Sequence, residues 1–195
     1  MVFDMARTQA LDFDTKREAI MIQAASLFAA KGFNGASLSD LSKACGVSKS
    51  LIYHYYSCKE DILFDVMNNH IEKLTTVVNN PDYQSNDPNK TFKDLTKSVL
   101  ECYAGAEDAQ KVLLYELNNL RPKQRKNIVS QQRLIVASFE TIYAQIFPEL
   151  KNNPSILRSK IMLFFGMINW THTWFNPTGE ITRDELAELA VKTVT

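Results

Sequence analysis

Residues 37–60 read SLSDLSKACGVSKSLIYHYYSCKE, and this stretch decides the fold of the N-terminal part of the chain. Its two short helical segments are separated by residues 44–48. Gly46 stands where a helix end favours a left-handed residue, and Ser48 can accept from the free N–H groups of the next helix. The stretch therefore predicts a helix-turn-helix, whose second helix, residues 49–55, fits a DNA major groove.

The second helix carries the side chains that such a groove requires. They are a cation, a hydroxyl group, phenols and an imidazole, which suit base edges and phosphates. These groups belong to Lys49, Ser50, Tyr53, His54 and Tyr55. The alternative interpretation is a helical hairpin with aromatic core positions.

Helical signals continue along the chain, and no segment shows the sustained period-two alternation of a strand. Prolines follow Asp87, Arg121 and Asn153, where a first helical turn accepts them. Thr182-Arg183-Asp184-Glu185 matches a capping box. The sequence thus predicts an all-α protein of about nine helices. These helices cover 15–31, 38–44, 49–55, 59–79, 88–105, 107–118, 122–147, 155–175 and 182–194.

The charge of the chain is balanced overall but uneven along its length. Lys plus Arg and Asp plus Glu number 22 each. Residues 15–59 nevertheless hold six basic and two acidic side chains, whereas residues 1–14 and 60–195 are each mildly acidic. A basic N-terminal module on an acidic body is typical of a nucleic-acid reader with a second domain, although chance clustering is also plausible.

Composition also indicates a compartment. The three cysteines, Cys45, Cys58 and Cys102, form no C-x-x-C pair, so a disulfide framework is not expected. The longest apolar run, residues 161–168, is about one third of a membrane span. The first residues lack the basic and apolar regions of a secretory signal. We therefore expect a cytoplasmic protein without a membrane association.

Residues 37–60, together with residues 25–33 upstream, resemble the DNA-binding domain of TetR-family repressors. The resemblance covers residues 15–65 and departs from the family pattern mildly at Ser42, Leu51 and Tyr56. It implies a three-helix DNA-binding domain over residues 1–58, with an N-terminal arm. A helical ligand-binding and dimerisation domain would follow over residues 59–195.

Roles in DNA binding follow from this resemblance residue by residue. Lys49 and Ser50 would face bases, and Leu51 would contact a thymine methyl group where the family usually has a small or hydroxyl residue. Phosphates would be held by Ser37, Tyr53, His54 and Lys59. Ser48, the expected helix cap, completes the predicted DNA-binding set.

A second resemblance concerns residues 165–179 taken together with residues 49–56. They look like the branch of the family that represses genes of acyl-CoA catabolism, which implies an acyl-CoA thioester as effector. Aromatic and apolar residues at helical spacing would hold the acyl group, although they could equally form an ordinary core. The candidates are Tyr103, Phe139, Tyr143, Met167, Trp170 and Trp174.

Cations crowd the predicted start of the seventh helix, where the helix dipole disfavours them. Arg121 and Arg125, with Lys123 and Lys126, could hold the phosphates of coenzyme A, or could form a solvated basic turn. His70, on the apolar face of the fourth helix, is predicted to be a satisfied core histidine. The three histidines show no metal-binding spacing, so neither a metal nor a cofactor is expected.

The predicted function is a ligand-responsive repressor that binds a palindromic double-stranded operator as a homodimer. Paired half-sites give the specificity that one helix-turn-helix lacks. Apolar residues of the last two helices would form the interface: Ile161, Leu163, Phe164, Ile168, Leu186, Leu189 and Val194. An acyl-CoA-binding enzyme and a helical adaptor that binds no DNA are the alternatives, and the first lacks a nucleophile–base constellation.

Overall fold

The computed structural model describes the backbone of residues 2–80 and 86–195, and the side chains of residues 13–80 and 86–195. Within these ranges the chain forms nine α-helices and no strand, which confirms the all-α prediction. The helices are α1 (Val2–Gly35), α2 (Leu38–Cys45), α3 (Lys49–Tyr55), α4 (Lys59–Val78), α5 (Pro88–Tyr103), α6 (Glu107–Tyr115), α7 (Pro122–Ile146), α8 (Pro154–Asn169) and α9 (Arg183–Val194). Short 3-10 turns cover Leu117–Asn119, Pro148–Asn152 and Trp170–Thr173.

Local capping explains several helix starts. Asp87 and Asn153 each precede a proline and accept backbone N–H groups of α5 and α8. Thr182 and Glu185 complete the predicted capping box of α9. These side chains satisfy N–H groups that the first turn of a helix leaves unpaired.

The start of α1 was wrong in the sequence prediction. The helix begins at Val2 rather than near residue 15, because residues 2–14 contain neither glycine nor proline to interrupt it. At the predicted stop the helix is interrupted by a kink: Gly32 has φ 71° and ψ 159°, a conformation that glycine adopts without a Cβ penalty, and a last helical turn follows to Gly35.

The predicted helix 155–175 was also wrong at its end. The α-helix stops at Asn169 and passes into the 3-10 turn Trp170–Thr173, so Trp170 and Trp174 do not share one α-helical face. The hydroxyls of Thr171 and Thr173 donate to the carbonyls three residues earlier. Such side-chain bonds compete with the α-helical ladder.

The chain divides into two compact units. The first comprises the residues up to His70 together with Asp108–Lys126, and the second comprises Ile71–Glu107 with Asn127–Thr195. The first unit therefore includes α6 and the start of α7, beyond the boundary at residue 58 that we predicted. Within it, buried His70 on α4 lies 2.7 Å from the amide oxygen of buried Gln110 on α6, as expected for a satisfied core histidine.

Aromatic packing forms the core of the second unit. Phe92 of α5 contacts Phe139 and Tyr143 of α7 and Phe164 of α8, with ring centroids 5.1–5.6 Å apart. α9 packs on α5 and α8. Lys93 and Lys97 of α5 form ion pairs with Glu188 and Asp184 of α9, respectively.

Candidate nucleic-acid interface

The turn between α2 and α3 is held by the residues that the sequence singled out. Ser37 caps α2 in a capping box with Asp40, and Gly46 ends that helix with φ 65° and ψ 28°. Ser48 accepts from the N–H of Leu51 at the start of α3. The helix-turn-helix geometry follows from the capping box of α2, its left-handed C-cap and the N-cap of α3.

Helix α3 has one buried face and one exposed face. Ile52 is 1% exposed and packs into the core, while Leu51 is half-buried. Lys49, Ser50, Tyr53 and His54 are exposed on the opposite side. The structure therefore brings the four polar candidates of this helix onto one accessible surface.

Ser37 and Lys59 take part in contacts within the protein. The Ser37 hydroxyl accepts from the Asp40 backbone N–H. The Ser37 hydroxyl and backbone N–H both donate to the Asp40 carboxylate, and these two bonds hold the pKa of the Asp40 carboxyl below its ordinary value. The Lys59 ammonium donates to the carbonyls of Phe33 and Ala36, at 2.7 and 2.9 Å, and lies 4.1 Å from the centre of the Phe33 ring. It thus supports the end of α1.

Arg121 has a partner within its own unit. Its guanidinium pairs with Asp61 at the start of α4, and the Gln124 amide donates to the same carboxylate oxygen at 2.9 Å. Asp61 therefore supplies an anion at this helix start, for which the sequence left open either a coenzyme A phosphate or a solvated basic turn. Arg125, with Lys123 and Lys126, remains exposed near the start of α7.

The predicted aromatic ligand residues lie in the second unit but do not form one surface. Phe139 and Tyr143 are fully buried within the aromatic core, and Met167 is half-buried. Trp170 and Trp174 are 57% and 56% exposed. Tyr103, 5% exposed, donates its hydroxyl to the Asn169 side chain at 2.7 Å, which supplies the polar partner that Asn169 requires.

Helices α8 and α9 and the segment between them carry apolar side chains on the protomer surface. The exposed residues are Ile156, Met162, Leu163, Trp170, Trp174, Ile181 and Leu189. Of the predicted interface residues, Leu163 and Leu189 belong to this exposed set. Four others, Ile161, Phe164, Ile168 and Leu186, are buried within the protomer, so their assignment to a surface was wrong. They share the apolar character of their neighbours but face the core.

Two acidic residues of α4 were missed in the sequence analysis. Asp61 and Asp65 are one helical turn apart, and both accept bonds from distant parts of the first unit. Their spacing was the available signal, because carboxylates at i and i+4 repel unless each has a partner.

The chemistry of the remaining polar groups is limited. Among residues 13–80 and 86–195, no group of three or more His, Cys, Asp or Glu side chains is placed to hold a metal ion. Burial raises the pKa of the Cys45, Cys58 and Cys102 thiols. None of the described helices combines the length and apolar character needed to cross a bilayer.

Two family profiles match the chain. Residues 20–66 match the profile described as "Bacterial regulatory proteins, tetR family". Residues 85–195 match the profile described as "Tetracyclin repressor-like, C-terminal domain". Together the two matches include all of α2, α3 and α5 to α9, the second half of α1 and the start of α4.

Solved structures share this fold. A TetR-family transcriptional regulator from Bordetella parapertussis is 36% identical, with a TM-score of 0.88, and the match covers 91% of this chain and 93% of that chain. The crystal structure of AibR in complex with isovaleryl coenzyme A and operator DNA is 23% identical, with a TM-score of 0.76, and covers 92% and 97% of the two chains.

Curated relatives are also transcriptional regulators. The repressor KstR2 of Rhodococcus jostii is 21% identical over 179 residues, which cover 89% of this chain and 86% of KstR2. The chain spans only 31%, 33% and 54% of the lengths of three further regulators. The family and these relatives are regulators, which supports the prediction of a regulator over an enzyme. The chain belongs to the TetR family of bacterial transcriptional regulators.

Proposed function

We propose that this chain is a repressor that binds a palindromic operator as a homodimer and is released by a small molecule, an acyl-CoA thioester. The observation that carries the proposal is the exposed polar face of α3 beside its buried Ile52. Lys49 and Ser50 on this face would read bases, and Tyr53 and His54 would hold phosphates. Because its partner is operator DNA, we place the protein in the cytoplasm.

The apolar surface of α8 and α9 supports the homodimer. Leu163 is 74% exposed and Leu189 is 51% exposed. Exposure of such apolar surface to water is unfavourable in a monomer, and a second copy of the chain would bury it. Between Leu163 and Leu189 in sequence, Gly166 has no described atom beyond its chain neighbours and its own helix backbone within 4 Å of the position that a Cβ would take. Its own protomer therefore does not require a glycine there, whereas a closely approaching partner helix would.

One solved structure supports the effector class. AibR has been solved with isovaleryl coenzyme A and operator DNA, and it shares the fold of this chain. Tyr103 and Asn169, which hydrogen-bond to each other in the second unit, would supply polar contacts to the thioester carbonyl. Burial of the acyl chain would contribute about 25 cal/mol per Å² of apolar surface.

The test combines DNA selection with effector release. A sequence enriched by the purified protein from random DNA should be palindromic and should bind more tightly than unrelated DNA of the same length. Isovaleryl-CoA, phenylacetyl-CoA and fatty acyl-CoAs are then added to the complex, alongside their free acids and free coenzyme A. We expect release by an intact thioester alone, because only a ligand that prefers the DNA-free state shifts the equilibrium.

Each result has a separate meaning. Failure to enrich any sequence would contradict DNA binding by α3. Release by a free acid, with no thioester active, would contradict the acyl-CoA effector but leave the repressor intact. Arg125→Glu combined with Lys126→Glu tests the basic residues of α7 by themselves. If a thioester acts, this double variant should weaken its effect, and an unchanged response would exclude a phosphate contact there.

A further inference from the structure

The C-terminal end of α3 is contacted by residues of α1. Two of them lie before residue 20, where the match to the DNA-binding profile begins. Phe13 and Arg17 lie one turn apart on α1, before the profile begins at residue 20. Since residues at i and i+4 share a helix face, both can reach the same neighbour. The same face continues into the core at Ile20, which is 2% exposed.

Phe13 contacts the last residues of α3, which is the proposed DNA-recognition helix. Its ring centroid lies 4.4 Å from that of Tyr55 and 6.0 Å from that of His54, with an edge-on arrangement to His54. Aromatic pairs at these separations are attractive. His54 is thereby contacted from α1 as well as from its neighbour Tyr55, although it is exposed on the DNA-facing side.

Arg17 and Tyr56, the residue that ends α3, both donate hydrogen bonds to the carboxylate of Asp65. Tyr56 is the C-cap of α3, and its hydroxyl donates to Asp65 at 2.5 Å. Arg17 donates to the other oxygen of Asp65 at 2.6 Å. Tyr56 is 5% exposed and the Asp65 side chain 18%, so solvent screens this network less than a surface pair. The Tyr56 hydroxyl therefore has a specific partner inside the first unit.

We propose that Phe13, Arg17, Tyr56 and Asp65 are positioning residues that fix the C-terminal end of α3 and thereby determine operator discrimination. The inference rests on the proposed DNA-binding function. Base contacts need the recognition helix in one orientation, whereas phosphate contacts tolerate small rotations. Loosening this end of α3 should therefore reduce binding to the selected operator more than binding to unrelated DNA.

The test compares Phe13→Ala, Tyr56→Phe and Asp65→Asn with the wild-type chain on two duplexes, the selected operator and a scrambled duplex. We expect each variant to lose about tenfold in operator affinity, the loss typical of one misaligned base contact. Affinity for the scrambled duplex, measured at the same salt concentration, should change less than about twofold. Phe13→Tyr keeps the ring and should retain wild-type discrimination.

Ile22→Ala is the matched control, because Ile22 is also apolar and exposed on α1 but makes no described ring contact. It should behave as wild type on both duplexes. Wild-type discrimination in all three variants would overturn the inference. An equal loss on both duplexes together with a lower Tm would also overturn it, because that pattern indicates a structural role only. If the wild-type chain itself selects no sequence, it is the proposed function that fails.

Discussion

At the scale of residues, Lys59 makes contacts within the protein that the sequence did not predict. The family resemblance assigns it to a phosphate, whereas its ammonium donates to the carbonyls of Phe33 and Ala36. We expect Lys59→Met to destabilise the protein by about 1–3 kcal/mol, because two carbonyls lose a charged donor. Chemical denaturation measures this loss. The salt dependence of DNA binding should keep its slope, and a slope lower by about one unit with unchanged stability would restore the phosphate role.

Lys49 differs from Lys59, because its side chain at the start of α3 is exposed and its removal should not destabilise the fold. We expect Lys49→Ala to leave Tm unchanged and to relax base preference at one operator position, by about 1–3 kcal/mol for a bidentate contact. Binding to a panel of single-base operator variants measures this preference. Lys43→Ala removes an exposed cation from α2 and should leave the preference intact. Unchanged discrimination in Lys49→Ala would contradict base reading by this residue.

At the scale of elements, the start of α2 gives a prediction for pH. Hydrogen bonds from Ser37 lower the pKa of Asp40, so this carboxylate stabilises the fold above its unfolded pKa, and the contribution is lost as pH falls through the folded pKa. Asp40→Asn should therefore lower Tm at about pH 7, and the gap to wild type should close towards about pH 3. Asp14→Asn, an exposed change on α1, should follow the wild-type profile. A gap that persists in acid would contradict the assignment.

Helix ends differ in how far the sequence predicts them. The end of α2 and the start of α3 agree with the prediction to within one residue, because Gly46 and Ser48 stand directly beside the helix ends that they define. The end of α8 was missed because threonine hydroxyls can bond the backbone in a 3-10 turn as well as in an α-helix. Apolar spacing alone does not distinguish these two states.

At the scale of the whole molecule, the sequence patterns did not predict which distant segments contact each other. Asp61 and Arg121 are 60 residues apart, and only the fold brings the start of α7 to the start of α4. The same is true of Phe13 with Tyr55 and of Tyr103 with Asn169. The spacing of Ile161 and Phe164 placed them on an apolar helix face. It did not show whether that face packs in the core or at an interface, because core and interface positions require the same kinds of side chain.

Assembly provides the last prediction. Leu163 is 74% exposed on α8, so Leu163→Glu should leave the protomer folded while it places a charge in the proposed dimer interface. We expect a monomer in sedimentation velocity with an unchanged circular dichroism spectrum. Operator affinity should fall steeply, because the two half-sites then bind independently. Leu134→Glu is the matched control, since Leu134 is 54% exposed on α7 and should preserve the dimer. A Leu163→Glu protein that sediments as a dimer would exclude α8 from the interface.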